Sequence, residues 1–296
     1  MPHIRPFRRS DRHQVTDLVN AHISAVVPGW AVSTATLLAQ LEADPGQYVT
    51  DPWVQTRETL VVVVDSRVVG AAHLRCYRSS PDVGPDYRDS GEVAWMVCWP
   101  DHADAAAVLL GAALRVIQSW GARRIFADGD LPTPATFGIP DCWPHIEESL
   151  IGAGFRPGED AVEVLLAGRI DTMPASDSPA SERVRRSVGQ HGVRFTLDDG
   201  DATELGCVET IDDCTRGGTL LRLAGWAEVA ELDLPSGEVA RSALLGSAAD
   251  WLRTGGVANL FIALGREDVE EIEYFGGLGW RRLATVRRGW ERTTRP

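Results

Sequence analysis

A stretch of the sequence recurs 135 residues further along the chain, and this repeat restricts the possible folds more than any other feature. The first copy runs from Pro100 to Phe126 and the second from Pro235 to Phe261. The identical residues are a Pro, a Leu-Leu-Gly triplet, an Ala, a Gly and a Phe, at positions 100, 109–111, 113, 121 and 126 and again at 235, 244–246, 248, 256 and 261. A Gly-aromatic pair follows each copy, as Gly154-Phe155 and as Gly279-Trp280. A duplication of this kind predicts two similar supersecondary units.

Both copies show the same order of predicted elements: a strand, a helix that ends at a glycine, a strand, a second helix and a last strand. Two more helices are predicted only before the first copy. One has apolar residues spaced three and four apart over Val15–Val26, behind N-cap oxygens at Ser10 and Asp11. Gln14 is placed for a capping box with Asp11, and Ser33 is the predicted N-cap of the other helix. The fold class is therefore α+β, a duplicated unit whose second copy is trimmed.

The length of 296 residues suggests two domains, because single cores stop growing at about 250 to 300 residues. The stretch DTMPASDSPASE lies between the two halves, is rich in Pro, Ser and Asp, and has no periodicity. We therefore predict an N-terminal domain of residues 1–170, a linker of residues 171–182 and a C-terminal domain of residues 183–296.

The formal net charge of −13 argues against nucleic acid or an anionic membrane as a partner, because both need a basic surface. The same charge mildly favours a cationic substrate. No apolar run approaches the roughly 20 residues of a membrane span, and the polar N-terminus lacks a secretory signal. The five cysteines form no CxxC pair, and their odd number argues against a disulfide framework. These features predict a cytoplasmic protein.

Several segments, in this order, resemble the GNAT superfamily of N-acetyltransferases. They are the opening IRPFRRSDRHQVTDLV, the hairpin TLVVVVDSRVVGAAHL, the strand-Pro-helix stretches VAWMVCWP…VLLGAAL and AELDLP…ALLGSAADWL, and the closings ESLIGAGF and EYFGGLGW. Together they cover nearly the whole chain as a tandem arrangement, and the chain is especially similar to actinobacterial two-domain acetyltransferases. The resemblance implies two units, each with a central, mostly antiparallel, twisted sheet flanked by helices.

The resemblance also implies a co-substrate, acetyl-CoA, held where the fourth and fifth strands of a unit separate. Its pyrophosphate is expected on backbone N–H groups at a helix N-terminus, in an Arg/Gln-x-x-Gly-x-Gly/Ala loop. The corresponding stretches here, DHADAAAV and SGEVARSA, are shorter and lack the Gly-x-Gly. Asp101 and Asp104 in the first would repel a pyrophosphate, whereas the second offers small residues and one Arg. We therefore expect the cofactor in the second half, at Leu232, Leu234, Ser236, Gly237, Val239, Ala240, Arg241, Ser242 and Phe275.

Candidate catalytic residues lie in the same half. Glu231 and Asp233 alternate with leucines, so both carboxylates lie on one face of the predicted strand and are candidate bases. The resemblance implies that a Tyr on the last helix protonates the departing thiolate. That position holds Phe275 here, with Tyr274 beside it, and Leu150 in the first copy. Adjacent helical residues point about 100° apart, so Tyr274 is a candidate acid but not a direct replacement.

The predicted function is transfer of an acetyl group from acetyl-CoA to a primary amine of a small molecule. Two other classes stay open: a GNAT-fold protein without transferase activity that acts as a binding or structural module, and a GNAT-fold enzyme with other acyl-thioester chemistry. Binding of CoA separates the first alternative, and an amine requirement for CoA release separates the second. A homodimer is also possible, since either the two halves or two chains can extend the sheet.

Four other groups of residues have both a functional and a structural interpretation. Cys142 and His145 place a thiol and an imidazole near a helix start, and residues 101–104 (DHAD) offer two or three metal ligands. The Arg cluster at 183, 185 and 186 suggests a nucleotide phosphate, and residues 198–201 (DDGD) are similar to part of a calcium loop. For each group the structural interpretation is favoured: a structural loop, a solvated helix start, a solvated strand and a hairpin turn.

Overall fold

The structure is a computed structural model that describes residues 2–42, 53–132, 137–159, 161–190, 192–199, 203–211, 213–216, 219–222 and 225–293. The chain divides into two compact units. The first consists of residues 1–163, 216–219 and 284–296, and the second of residues 164–215 and 220–283.

The first unit contains the helices α1 (Arg12–Val26), α2 (Thr34–Leu41), α3 (Ala103–Ser119) and α4 (Pro144–Gly152). Its strands are β1 (His3–Pro6), β2 (Val54–Val64), β3 (Arg67–Tyr77), β4 (Ser90–Cys98), β5 (Arg124–Ala127), the short β6 (Ile139–Pro140) and the last strand of the chain, β16 (Trp290–Thr293). Its sheet has the order β1-β2-β3-β4-β5-β16. The neighbouring strands are antiparallel except β4 and β5, which are parallel.

The start of α1 differs from its prediction. The predicted apolar face is buried, but the predicted capping box is wrong. The Asp11 carboxylate accepts hydrogen bonds from the Arg5 guanidinium and from the backbone N–H of Arg8, and Gln14 accepts one from the backbone N–H of Val68. The two-pronged bond from Arg5 is charge-assisted on both sides, so it outcompetes a neutral cap for the same carboxylate.

The second unit contains the helices α5 (Glu238–Thr254) and α6 (Val269–Gly277). Its strands are β7 (Val162–Arg169), β8 (Val184–Val188), β9 (Val193–Asp198), β10 (Glu204–Ile211), β13 (Trp226–Asp233), β14 (Asn259–Gly265) and β15 (Arg281–Arg287), and they form a sheet in the order β15-β7-β14-β13-β10-β9-β8. A separate pair consists of β11 (Asp213–Arg216) and β12 (Thr219–Arg222). Within the described ranges no α-helix precedes α5 in this unit, which confirms that the second copy is trimmed. The predicted α+β class, with two mostly antiparallel sheets and flanking helices, is confirmed.

The two copies of the repeat have matching backbones. The helix of each copy is followed by a glycine with positive φ, Gly121 at 83° and Gly256 at 80°. The glycines of the two Gly-aromatic pairs also match, with φ of 90° at Gly154 and 83° at Gly279. Residues other than glycine rarely adopt these angles, so the four positions keep glycine because the turn after each helix requires it.

The units and the predicted domains differ at both ends of the second half. β7 falls in the predicted N-terminal domain, but from residue 164 onward it belongs to the second unit. Residues 284–296, which end β15 and form β16, belong to the first unit. The second unit therefore contains a strand from the end of the N-terminal half of the sequence, and the first unit contains strand residues from the end of the C-terminal half.

No described helix combines the length and the apolar character that crossing a membrane requires. The four cysteines whose side chains are described, at positions 76, 98, 142 and 207, are free thiols.

Candidate functional site

Two parallel strands of the second unit separate along their length. β13 and β14 pair over only four residues of each, from Trp226 to Val229 and from Asn259 to Ile262. Beyond this point β13 continues to Asp233, and its register with β10 shifts, which leaves Ala230 as an extra residue. Such a bulge bends the strand that contains it. We call the unpaired stretch between residues 230–233 of β13 and 263–265 of β14 the β13–β14 gap.

The N-terminus of α5 follows directly after β13. Gly237 is its N-cap residue, with φ of 90°, and no atom lies within 4 Å of where a Cβ would be. The first N–H of α5 that bonds within the helix is that of Arg241, to the carbonyl of Gly237 at 3.1 Å. The N–H groups of the preceding turn have no intrahelical acceptor, and with the helix dipole they favour an anion. Glu238 is the one acid of this first turn.

The predicted cofactor residues divide between the core and the surface. Leu232 and Leu234 are half-buried and pack against the core of the unit, and so does Ala240. Four other predicted residues lie at the start of α5 and are exposed or half-buried: Ser236, Gly237, Val239 and Ser242. The Arg241 guanidinium bonds the carbonyl of Pro235 at 3.0 Å and lies 5.7 Å from the ring centroid of Tyr274. The structure thus brings Arg241 and Tyr274 together beside the start of α5.

The two aromatic residues of α6 have different environments. Phe275 is fully buried and lies 4.6 Å from the Trp280 ring, centroid to centroid. Tyr274 is half-buried, and its hydroxyl is a buried atom without a hydrogen-bond partner in the structure. Burial raises the pKa of Tyr274, and Glu238 raises it further, while Arg241 acts in the opposite direction. A protonated, unpaired hydroxyl is therefore available beside Arg241.

The two candidate bases, Glu231 and Asp233, are both exposed. The Glu231 carboxylate is 2.6 Å from the Arg194 guanidinium of β9, and its other oxygen accepts a hydrogen bond from the Cys207 thiol at 3.6 Å. The hydrogen bond with Glu231 raises the pKa of Arg194 above the usual range. Arg194 also bonds Glu204 at 2.9 Å. Nothing in the sequence pointed to Arg194 as the partner of Glu231, because the two residues are 37 positions apart and lie on different strands.

In the first unit the parallel strands β4 and β5 also separate along their length. Here, however, other residues of the unit bond backbone carbonyls on the unpaired edge of β4. β4 and β5 pair only over Ser90–Val93 and Arg124–Ala127, and Ala94 is the extra residue of a register shift with β3. The Ala94 carbonyl accepts the backbone N–H of Asp130 at 2.5 Å. The Cys98 carbonyl is 2.9 Å from Nε2 of His145.

A buried polar cluster lies on β3, β4 and the loop after β5 of the first unit, and the sequence analysis did not predict it. The Arg75 guanidinium is 2.9 Å from the Asp130 carboxylate and 3.5 Å from the Glu92 carboxylate, and the Tyr77 hydroxyl donates to Glu92 at 2.6 Å. Burial raises the pKa of Glu92 to about 7 and that of Asp128 to about 6. The available signal was the presence of Arg75 and Glu92 in strands that are otherwise almost wholly apolar.

The other groups suggested by the sequence do not assemble into reactive sites. Burial first, and then Asp141, raise the pKa of the Cys142 thiol to about 11, so it stays protonated, and His145 bonds the Cys98 carbonyl instead. Among the described residues no set of three or more His, Cys, Asp or Glu is placed to hold a metal ion. In the calcium-like stretch, positions 200 and 201 lie outside the described residues.

Comparison with known proteins gives similarity in structure alone. No protein-family model matches the sequence, and no curated protein matches it. A tandem GNAT protein from the clavulanic acid biosynthesis pathway is similar over 100% of this chain and 99% of its own, with a TM-score of 0.62 and 14% identity. A GCN5-related N-acetyltransferase from Sphaerobacter thermophilus is similar over 100% of this chain and 96% of its own, with a TM-score of 0.63 and 12% identity.

A third similar structure is a glucosamine N-acetyltransferase region in a fungal multi-domain GH3 β-N-acetylglucosaminidase. It has a TM-score of 0.59 and 12% identity, and the match covers 98% of this chain and 38% of that one. These likenesses cover the chain from end to end, so the chain has a tandem GNAT fold, as the repeat and its motifs predict.

Proposed function

We propose that this chain is an N-acetyltransferase that moves the acetyl group of acetyl-CoA to a primary amine of a small molecule, with the cofactor site in its C-terminal half. The observation that carries the proposal is the β13–β14 gap, which leads directly to the open N-terminus of α5. Unpaired strand edges supply hydrogen bonds for an extended amide chain such as pantetheine, and free helical N–H groups supply them for a pyrophosphate.

The side chains around the gap fit this co-substrate. Leu232 and Leu234 offer apolar contacts for the pantetheine arm. Arg241 is a cation within the first turn of α5, although it now bonds the carbonyl of Pro235. The unpaired Tyr274 hydroxyl is a buried donor that lacks an acceptor, and a thiolate sulfur would be one. Phe275 packs in the core, so we expect it to support Tyr274 rather than to contact the cofactor.

The catalytic step needs one base and one acid. The amine nitrogen attacks the thioester carbonyl, a C–N bond forms, and the C–S bond breaks. Glu231, with Asp233 as the second candidate, takes the proton from the attacking nitrogen, and Tyr274 gives its proton to the departing sulfur. Glu231 is exposed on β13, whereas Leu232 and Tyr274 both pack against the core of the unit. The proposal therefore draws its base from the exposed side of β13 and its acid from a half-buried residue of α6.

The first half is the weaker candidate for a cofactor site. Two carbonyls of its free β4 edge are already bonded, by Asp130 and His145. Its helix start bears Asp101 and Asp104, which would repel a pyrophosphate. These two features also keep open the alternative that a GNAT unit in this chain is a structural or binding module.

Isothermal titration of the full chain with acetyl-CoA, and separately with CoA, tests the proposal. We expect micromolar binding of both, which an Arg241→Ala substitution weakens at least tenfold. An Arg115→Ala substitution on α3 of the first unit is the matched control and leaves affinity unchanged. Absence of binding at millimolar cofactor would exclude the transferase and favour the module.

A screen of primary amines for CoA release then separates the transferase from other acyl-thioester chemistry. The transferase releases CoA only when an amine is present. Release without any amine would identify hydrolysis or another thioester reaction at the same site.

A further inference from the structure

β8 forms the free edge of the sheet in the second unit. The backbone N–H of Gly189 bonds the carbonyl of Gly192 at 2.8 Å, one pair beyond the end of the β8–β9 ladder. Bonded and non-bonded pairs alternate in an antiparallel ladder. Val184, Arg186 and Val188 therefore direct their N–H and C=O groups away from β9.

This edge is open to solvent. Residues 185–188 are exposed, and the Val188 side chain has a relative exposure of 93%. In the described part of the chain no strand pairs with the outer side of β8. An exposed row of unpaired backbone groups is a template for one more strand, so β8 can accept an extended segment.

A groove of mixed character lies next to the edge, between β8, β9 and α5. Its volume is about 430 Å³; Val184, Phe195 and Trp251 supply its apolar surface, and its polar lining residues are Arg186, Ser247, Asp250 and Thr254. Trp251 is 39% exposed, an unusual position for so large an apolar side chain. A strand added to β8 alternates its side chains between the two faces of the sheet, so one face of that strand points towards the groove.

The charge of this edge is opposite to that of the whole molecule. Arg183, directly before β8, and Arg185 and Arg186 within it are exposed in a chain whose net charge is −13. Arg185 pairs with Asp198 at 2.8 Å, and the Arg186 guanidinium lies 3.9 Å from the ring centroid of Trp251. No acid pairs with Arg183 or Arg186 among the described residues. Charges beyond about 8 Å are screened at physiological salt. Asp250 in the groove pairs with Arg253 at 2.6 Å, so Arg183 and Arg186 are unpaired cations that a segment at this edge meets.

From this geometry we propose that β8 docks an extended acidic segment of a partner protein as an added strand, with an apolar side chain in the groove beside Trp251. A second copy of this chain is the less suitable occupant, because pairing two β8 strands brings two sets of three arginines together. This surface lies on the α5 side of β8 and β9 and includes none of the residues assigned to acetyl transfer.

Fluorescence anisotropy with the full chain tests the docking. The probe is a fluorescein-labelled, amidated heptapeptide of sequence VDVEVDV, and the control probe is VKVKVKV. We expect saturable micromolar binding of the acidic probe only, weakened at least tenfold when salt rises from 50 mM to 500 mM.

Two pairs of variants locate the site. Val188→Pro removes an outward N–H without touching the β8–β9 ladder, and it weakens binding at least tenfold, whereas Val188→Thr does not. Arg186→Glu also weakens it at least tenfold, whereas Arg266→Glu, the same charge change in the loop after β14, leaves it unchanged. Thermal unfolding of each variant verifies the fold. If Val188→Pro is unfolded, the comparison of Arg186→Glu with Arg266→Glu tests the proposal on its own.

Three results would overturn the proposal: no saturable binding up to 1 mM probe, equal binding by Arg186→Glu, or equal binding of the two probes. Sedimentation velocity of the free protein tests the second-copy alternative. A dimer that Val188→Pro dissociates would show that a second copy occupies β8, and would replace the partner segment.

Discussion

The buried hydroxyl of Tyr274 can be removed with different expected effects on stability and on activity. It has no hydrogen-bond partner, so Tyr274→Phe loses no bond and relieves the cost of burying an unpaired polar atom. We expect thermal stability to be unchanged or higher by about 1 kcal/mol. Turnover should fall about 100-fold if this hydroxyl protonates the thiolate.

The measurements are calorimetric unfolding and amine-dependent CoA release on the same preparation. A Tyr274→Phe protein with unchanged turnover would remove Tyr274 as the acid. A loss of both stability and turnover would instead indicate that the hydroxyl has a structural partner.

The role of Glu231 can be tested by comparison with Glu204, a second carboxylate that pairs with the same arginine. Glu231 and Glu204 both bond Arg194, and their side chains are 46% and 47% exposed. We expect Glu231→Gln to lower turnover about 100-fold with acetyl-CoA affinity unchanged, because a general base contributes at least this factor. Glu204→Gln removes a similar partner of Arg194 and should lower turnover less than threefold. Equal losses in the two variants would assign the effect to Arg194 and its environment.

At the scale of a single element, the start of α5 combines helix stability with anion binding. Ala240→Asp places a carboxylate in the first turn of α5. The helix dipole interacts favourably with this negative charge, but the charge repels a pyrophosphate. We expect acetyl-CoA affinity to fall at least tenfold, and Glu238→Gln to raise affinity. Ser247→Asp, about 10 Å further along the same helix, is the control and leaves affinity unchanged. Calorimetric titration of the three variants checks this, and unaltered affinity in Ala240→Asp would place the pyrophosphate elsewhere.

At the scale of the whole molecule, the first unit is completed by the end of the chain. β16 pairs with β5 from Trp290↔Ala127 to Thr293↔Arg124. Trp290 is fully buried, and Glu291 forms a two-pronged ion pair with Arg124 at 2.8 and 3.0 Å. A fragment of residues 1–170, the predicted N-terminal domain, therefore lacks one strand of its own sheet.

We expect a synthetic peptide of residues 284–296 to bind this fragment and stabilise it. At a hundredfold excess over Kd the gain is about 2.7 kcal/mol, measured by urea unfolding with and without peptide. The same peptide with Trp290→Ala should give less than half of this gain, because the large buried ring is absent. Equal stability with and without the unchanged peptide would mean that the fragment closes its sheet edge without β16.

The sequence determined the features that depend on near neighbours along the chain. Apolar spacing defined α1, Ser33 accepts the N–H of Thr36 at the start of α2 as expected, and repeated glycines ended both long helices. The order of these motifs was enough to predict the tandem GNAT fold. It was also enough to predict that Glu231 and Asp233 share one face of a strand, because side chains alternate along every strand.

Only the tertiary structure decided which distant segments meet. The pairing of β16 with β5, and of Arg194 with Glu231, joins residues whose separation no local periodicity encodes. The buried cluster of Arg75, Glu92 and Asp130 likewise depends on three elements closing around charges that each sequence segment presents singly. Such contacts gain their free energy from burial and from partners supplied by the rest of the fold, so a reading of one segment at a time cannot specify them.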